Sequence, residues 1–302
     1  MALAVVTDLL LGDPPNRWHP VSWMGRLLAW GRGFERGSSR VLLARGTVLV
    51  LVAAGVAGIV GWSLSSVIRP WGWPGVIFEA LALKIVISLR DLTVSCRQVA
   101  QALLCGDLAE ARRLVGYHLV SRPTAGLDAR LVTSATIESA AENLTDAFVA
   151  PLAYYLVFGL AGAYVYRAVN TADAMLGYRE GALEYFGKAS ARLDDLLNFV
   201  PARLAALAIV VSAGLIGEDA RGAWRTMLRD HGRTASPNAG WTMSAMAGAL
   251  GVSLEKPGAY RLGAGALPQP RDVARGIRVV IVSALGTVGL MVGLLLFRSY
   301  SR

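Results

Sequence analysis

The chain has 302 residues, of which 54% are hydrophobic and only 17% charged, and its mean hydropathy is +0.48. This balance excludes a disordered polymer and points to a chain that buries apolar surface in a bilayer. The net charge of +9 is almost wholly arginine, with lysine only at 84, 188 and 256; no basic helix or aromatic–basic strand motif accompanies it, so nucleic acid is not an expected partner and the excess reads as cytoplasmic loops.

In chain order, MALAVVTDLLLGD (1–13) lacks a basic leader and a small-residue cleavage site. It reads as a short apolar helix ended by Gly12 and Pro14-Pro15, not as a removable signal. Asp13 and His19 follow in a Gly/Pro-fixed loop. His19 is a candidate to orient or protonate a substrate group near neutral pH, and a hydrogen-bonded structural histidine accounts for it equally well. Arg26, Arg32, Arg36, Arg40 and Arg45 place residues 1–46 on the cytoplasmic side. Residues 47–68 carry no charge and, at about 1.5 Å per residue, cross a hydrocarbon core roughly 30 Å thick. Trp71 and Trp73 suit an interfacial belt, and 75–89 is expected to return, with Glu79 and Lys84 reaching the interface by snorkelling.

Residues 90–147 are polar and helical. Cys96 and Cys105 have no partner at metal-ligand spacing and read as reduced thiols. Glu138, Glu142 and Asp146 recur at i, i+4 and i+8, which puts three carboxylates on one helix face. Like charges so placed repel and call for a cation: Mg²⁺, a substrate amine or arginine. A solvated face with loose arginine pairs is the plain alternative. Two apolar runs follow, 148–166 and 199–217. The intervening 167–198 holds Arg167, Arg179, Lys188 and Arg192, so an external loop conflicts with the charge rule and re-entrant or protein-shielded helices are expected, with full crossing and an external catalytic loop as the alternative. This loop contains Asn170, Asp173 and the tandem Asp194-Asp195. Hard oxygen ligands of that kind suit Mg²⁺ carrying phosphates, although local pairing with Arg192 or Arg203 serves as well. Residues 218–278 are again basic and polar, with Ser236-Pro237-Asn238 beside His231. The run 279–297 is the last span, ahead of Arg298 and Arg302. No repeat occurs. The expected fold is a single all-α, polytopic membrane domain over 1–302 with four to five embedded helices. The sequence has no nucleotide P-loop, nucleophile elbow or zinc-protease helix.

Six stretches, DLLLGDPPNRWHPVSWMGR (8–26), GDLAEARRLV (106–115), SATIESAAENLTDAFVAPLAYY (134–155), YRAVNTADAMLGYR (166–179), FGKASARLDDLLNFVPARL (186–204) and SPNAGWTMSAMAGALGV (236–252), run in the order of the adenosylcobinamide-phosphate synthases, which the chain resembles along nearly its whole length. The resemblance implies a multi-pass inner-membrane enzyme of cobalamin assembly. It implies ATP-dependent amide formation between a corrinoid carboxylate (adenosylcobyric acid) and an amino-alcohol phosphate, with Mg²⁺ on the phosphates. On that basis Asp13, His19, Glu138, Glu142 and Asp173 are the expected catalytic residues. Arg122, Asn143, Asn170, Arg179, Arg192, Ser236 and Asn238 are expected to bind substrate, and Asp146, Asp194 and Asp195 the metal. Expected partners are the lipid bilayer and either another copy or the later cobalamin-assembly enzymes. Pro123, Met243 and Glu255-Lys256 depart from the family pattern. These departures are what support the competing class, a non-enzymatic membrane sensor or scaffold on the same fold; a small-molecule transporter is a third.

Overall fold

In the computed structural model, residues 1–14, 17 and 19–300 are described, the side chains of 298–300 excepted; Pro15, Arg302 and the Arg298 side chain thus lie outside the described residues. Four stretches follow one another. Residues 1–88 form α1 (Ala2–Leu11), α2 (Pro20–Gly31), α3 (Ser39–Ile68) and α4 (Trp73–Lys84). Residues 89–149 form α5 (Leu89–Leu104), α6 (Leu108–His118), α7 (Ala129–Leu144) and a π turn at Thr145–Val149. Residues 150–198 form α8 (Ala150–Leu176), α9 (Leu183–Phe186) and α10 (Lys188–Leu197). The remainder forms α11 (Phe199–Leu215), α12 (Ala220–Asp230), α13 (Ala239–Leu250), a hairpin of β1 (Leu254–Lys256) and β2 (Tyr260–Leu262), and α14 (Pro270–Tyr300). The protein is an all-α membrane protein.

The helix ends follow local chemistry. Gly12, at φ 67°, closes α1 with its N–H on Asp8 O. His19 caps α2 by accepting from Val21 N, with Pro20 at the first helical position. Asp107, Asp128 and Asp219 accept backbone N–H bonds at the starts of α6, α7 and α12.

The chain forms two compact units, each built from two separated stretches: 1–88 with 150–198, and 89–149 with 199–302. In the first unit, α3 turns Gly46, Val50, Ala53, Ala57, Gly61 and Ser65 inward at helical spacing. Val48, Leu51, Val52, Ile59 and Trp62 stay exposed. Small residues inside and large apolar residues outside is the pattern of a helix that packs on protein and faces lipid. Its polar-side core joins Leu28, Val50, Val169, Leu176 and Phe186.

α8 is not one rod. Gly159 sits at φ 66°, ψ −158°, outside helical geometry. Tyr154 and Tyr166, which a straight helix would hold ~18 Å apart, stack at 5.3 Å between ring centroids. The run 148–166 therefore doubles back as a helical hairpin. α4, at twelve residues, covers ~18 Å, well short of a crossing.

In the second unit, α12 and α13 cross where Gly222 faces Gly248; a Cβ on Gly248 would meet Gly222 O at 2.2 Å. Val99, Leu103, Val115 and Val132 form the core of α5–α7. Three helical stretches, Ser39–Trp71, Ala129–Leu176 and Pro270–Phe297, have the length and composition of membrane spans; α10 and α11 reach it only together. The charges Lys188, Arg192, Asp194 and Asp195 keep α10 at the polar boundary, so only α11 belongs to the apolar phase.

Candidate active site

Three polar centres gather the predicted residues. The first, at the N-terminus, is tied by Lys84. Its ammonium donates to Asp13 Oδ1 and lies 3.9 Å from Asp8 Oδ1. Ser88 Oγ donates to Asp13 Oδ2 at 3.0 Å, and His19 Nε2 stands 3.7 Å from Asp13 Oδ1. Asp13 and His19 are thus brought together, as their spacing suggests. Burial alone would raise the Asp13 carboxyl, but the His19 ring and the Lys84 ammonium beside it outweigh burial and hold the pKa at about 2. Lys84, 5% exposed, does not snorkel to an interface: two inward carboxylates offer it better solvation than the membrane boundary. Sequence reading missed Asp8, Lys84 and Ser88 as members of this network. A charge inside each apolar helix was the available signal.

The second centre, also in the first unit, surrounds the tandem aspartates. Asp194 faces inward, its two oxygens accepting from Asn170 Nδ2 at 3.2 Å and Asn198 Nδ2 at 3.0 Å. Tyr166 OH donates to Asn198 Oδ1 at 2.9 Å and fixes that amide. Burial raises the Asp194 carboxyl above the usual range, against the two amide bonds that lower it. Asp195 points elsewhere, into a polar cleft of about 260 Å³ whose charged lining is Arg179, Glu184, Lys188, Arg192 and Asp195. Arg192 Nη1 is 3.9 Å from Asp195 Oδ2. Asp173 does not line this cleft; its Oδ1 lies over Gly177, which does, where a Cβ would meet it.

The third centre belongs to the second unit. A cleft of about 240 Å³ is lined by Arg122, Glu138, Ser139, Glu142, Lys256 and Tyr260 with their neighbours. Glu138, 4% exposed, accepts from Ser134 Oγ and from Tyr260 OH, each at 2.7 Å. Glu255 N donates to the same Ser134 hydroxyl at 2.7 Å, which pins the β hairpin against α7. Arg122 Nη2 lies 3.7 Å from Glu138 Oε2. Burial, followed by the Glu138 carboxylate, pushes the Tyr260 phenol above its ordinary range, so it stays a proton donor. Asp146 does not line this cleft; it sits in the π turn Thr145–Val149 that follows α7.

Other predicted residues are engaged locally. Asn143 Nδ2 donates to Ser139 O and Oγ at 2.9 and 3.1 Å. Ser236 Oγ accepts from Asn238 N and Ala239 N at the start of α13. Asn238 Oδ1 accepts from Arg203, whose guanidinium rests over the Phe199 and Trp241 rings at 3.6 and 4.7 Å.

These features define a helical integral membrane protein with two polar clefts, each holding both guanidinium and carboxylate groups. The sequence profile of the family described as CobD/Cbib protein matches residues 1–291. The chain is 43% identical over 263 residues to the probable cobalamin biosynthesis protein CobD of Methanothermobacter thermautotrophicus, covering 87% of this chain and 86% of that one. It is 41% identical over 269 residues to the cobalamin biosynthesis protein CobD of Dehalococcoides mccartyi (86% and 85% covered). The namesake from Klebsiella pneumoniae is 39% identical over 265 residues (85% and 82%). No solved structure matches. The chain belongs to the CobD/Cbib family of cobalamin biosynthesis.

Proposed function

We propose that the protein is a carbon–nitrogen ligase that joins the propionate carboxylate of adenosylcobyric acid to aminopropanol phosphate, or a related amino-alcohol phosphate, with ATP as co-substrate. The product is adenosylcobinamide phosphate. The observation that carries this reading is the family match over residues 1–291, and the charged clefts support it. A carboxylate does not react with an amine at neutral pH until one oxygen becomes a leaving group. Attack of a carboxylate oxygen on the terminal phosphorus of ATP releases ADP and leaves an acyl phosphate. The amine then attacks the carbonyl carbon, phosphate departs with the C–O electron pair, and nitrogen loses a proton.

Arg179, Lys188 and Arg192 face one cleft and meet phosphate oxygens with charge-assisted hydrogen bonds. Mg²⁺ fits there with Asp195, since this ion takes one or two carboxylates, substrate phosphates and several waters. Bound so, it would neutralise phosphate charge. Asp194 suits it less, both its oxygens already accepting amide hydrogens. In the other cleft, which Glu142 lines, that carboxylate would take the amine's proton, while Ser134 and Tyr260 hold Glu138 fixed. The polar loops 1–46, 90–147, 167–198 and 218–278 face the cytoplasm, where both substrates are charged and soluble.

The test is an assay of purified protein in detergent with adenosylcobyric acid, aminopropanol phosphate and MgATP, read by product mass. An amide product is expected. A folded protein that forms none with any amino-alcohol phosphate would leave the sensor or scaffold reading in its place.

A further inference from the structure

The span α3 carries an apolar groove near its first residues, and every residue that lines it belongs to the first unit. The groove holds about 390 Å³, within the ~300–1,000 Å³ usual for small-ligand sites. Trp30 and Phe34 supply one side, their rings meeting edge to face at 5.2 Å. Val48, Leu49 and Val52 of α3 supply the other. Gly31 lets the two sides close on each other, since a Cβ there would meet Leu49 Cδ1 at 2.5 Å. These are not core side chains: Trp30 is 68% exposed and Val48 61%. Contiguous apolar surface of this kind marks a site of interaction.

The groove has one charged end. Arg45 is the charged residue of its lining. Its Nη1 donates to Phe34 O at 3.2 Å and to Arg36 O at 2.8 Å, which fixes the guanidinium against the turn between α2 and α3. The opposite edge, Nε with Nη2, makes no hydrogen bond among the described residues. Arg32 is paired with Glu35 at 3.3 Å. Arg36, Arg40 and Arg45 have no carboxylate partner among the described residues, so this end of α3 carries uncompensated positive charge. Residues 47–68 beyond it are uncharged and lie in a stretch with the length and composition of a span. Arg45 thus marks the level where the apolar phase ends, and Val48 and Val52 lead the groove ~10 Å into it.

We propose that this groove seats an acyl chain of one anionic glycerophospholipid, whose phosphate meets the open Nε–Nη2 edge of Arg45. The edge of a guanidinium binds two phosphate oxygens at once. The chain covers Trp30, Phe34, Val48 and Val52, and the head lies at the level of Arg36 and Arg40. A zwitterionic head brings its own ammonium to that basic end, so a head with net negative charge is favoured. The assignment is independent of the reaction proposed above.

The test is tryptophan quenching of the full-length protein in phosphatidylcholine vesicles that contain rising fractions of phosphatidylglycerol brominated on its acyl chains. A saturable component is expected, and its loss in Trp30→Phe assigns it to this groove. Half-quenching should come at a lower fraction with brominated phosphatidylglycerol than with equally brominated phosphatidylcholine. Arg45→Gln should raise the phosphatidylglycerol fraction for half-quenching about fivefold. Arg36→Gln, at an exposed side chain, should raise it by a smaller factor and keeps the charge dependence readable if Arg45→Gln fails to fold. Val48→Phe fills the groove from an exposed position and should abolish the saturable component. Equal half-quenching by the two lipids, or the parent's quenching unchanged in Val48→Phe, would overturn the assignment and leave ordinary boundary lipid. Trp30 shielded from both lipids in a protein that runs as a dimer would overturn it too, since a second copy would then cover the groove.

Discussion

Lys84 is the one lysine of three that is buried, and its partners decide what it does. The sequence shows a charge near the end of an apolar run, which reads as a side chain reaching for water. Its strongest partner, Asp13, is 71 residues away, and no local pattern announces such a pairing. Removing one member of a buried pair leaves the other charge uncompensated, at a cost on the order of 3–5 kcal/mol. Lys84→Met should accordingly lower the thermal midpoint in detergent by many degrees; a variant as stable as the parent would mean that the pair contributes nothing. The same contact sets a pH dependence. The folded Asp13 pKa of about 2 lies below the unfolded value of about 3.9, so its contribution is complete above the unfolded value and is lost as pH falls towards 2. In Asp13→Asn that acid-limb slope should flatten, which acid titration of unfolding reads directly. Asp194 and Asp195 make a similar point. Adjacent helical residues point about 100° apart, so the tandem motif serves two purposes. Asp195→Asn should raise the Mg²⁺ concentration needed for half-maximal turnover, whereas Asp194→Asn should leave that midpoint near the parent's and lower stability. The reverse assignment in the titration would show that the metal sits on Asp194.

The elements that sequence periodicity describes well are the regular ones. The uncharged run 47–68 lies within α3, the Gly12 stop ends α1 as its position implies, and Glu138 and Glu142 share a face because α7 is regular there. Departures come where the backbone leaves the α-helix. The i, i+4, i+8 spacing assumes an unbroken helix; α7 ends at Leu144, and Asp146 lies in the π turn beyond it and outside the cleft that Glu138 and Glu142 line. The run 148–166 has the composition of a crossing helix, but composition is the same for a rod and for a hairpin. The basic residues of 167–198 argue for a re-entrant form from sequence, and the Gly159 backbone, at φ 66° and ψ −158°, is where the run turns. That region is essentially closed to other residues, so Gly159→Ala should cost about 1–3 kcal/mol and loosen the Tyr154–Tyr166 stack. Thermal unfolding of Gly159→Ala beside Gly289→Ala, a site where a Cβ meets nothing, measures it; equal stability of the two would contradict a hairpin locked at Gly159.

At the scale of the whole molecule, the membrane class was legible from hydropathy and the family from six collinear motifs, because both are spread along the chain. The division into two units was not, since each joins stretches far apart in sequence, and short-range patterns carry no information about that assembly. The proposed orientation rests on arginine placement. Single cysteines near Arg179 and Arg229, in a variant lacking Cys96 and Cys105, should respond alike to an impermeant thiol reagent, protected in intact cells and labelled after permeabilisation. Labelling near 179 alone in intact cells would put 167–198 outside. Oxygen tracing asks whether the protein activates a corrinoid carboxylate for amide formation, as proposed. Adenosylcobyric acid carrying ¹⁸O in its propionate carboxylate is turned over with aminopropanol phosphate and MgATP, and the released phosphate is weighed by mass spectrometry. One ¹⁸O is expected in inorganic phosphate for each amide formed, with ADP as the nucleotide product. Label recovered in AMP, or a folded protein that forms no amide and transfers no label, would contradict it.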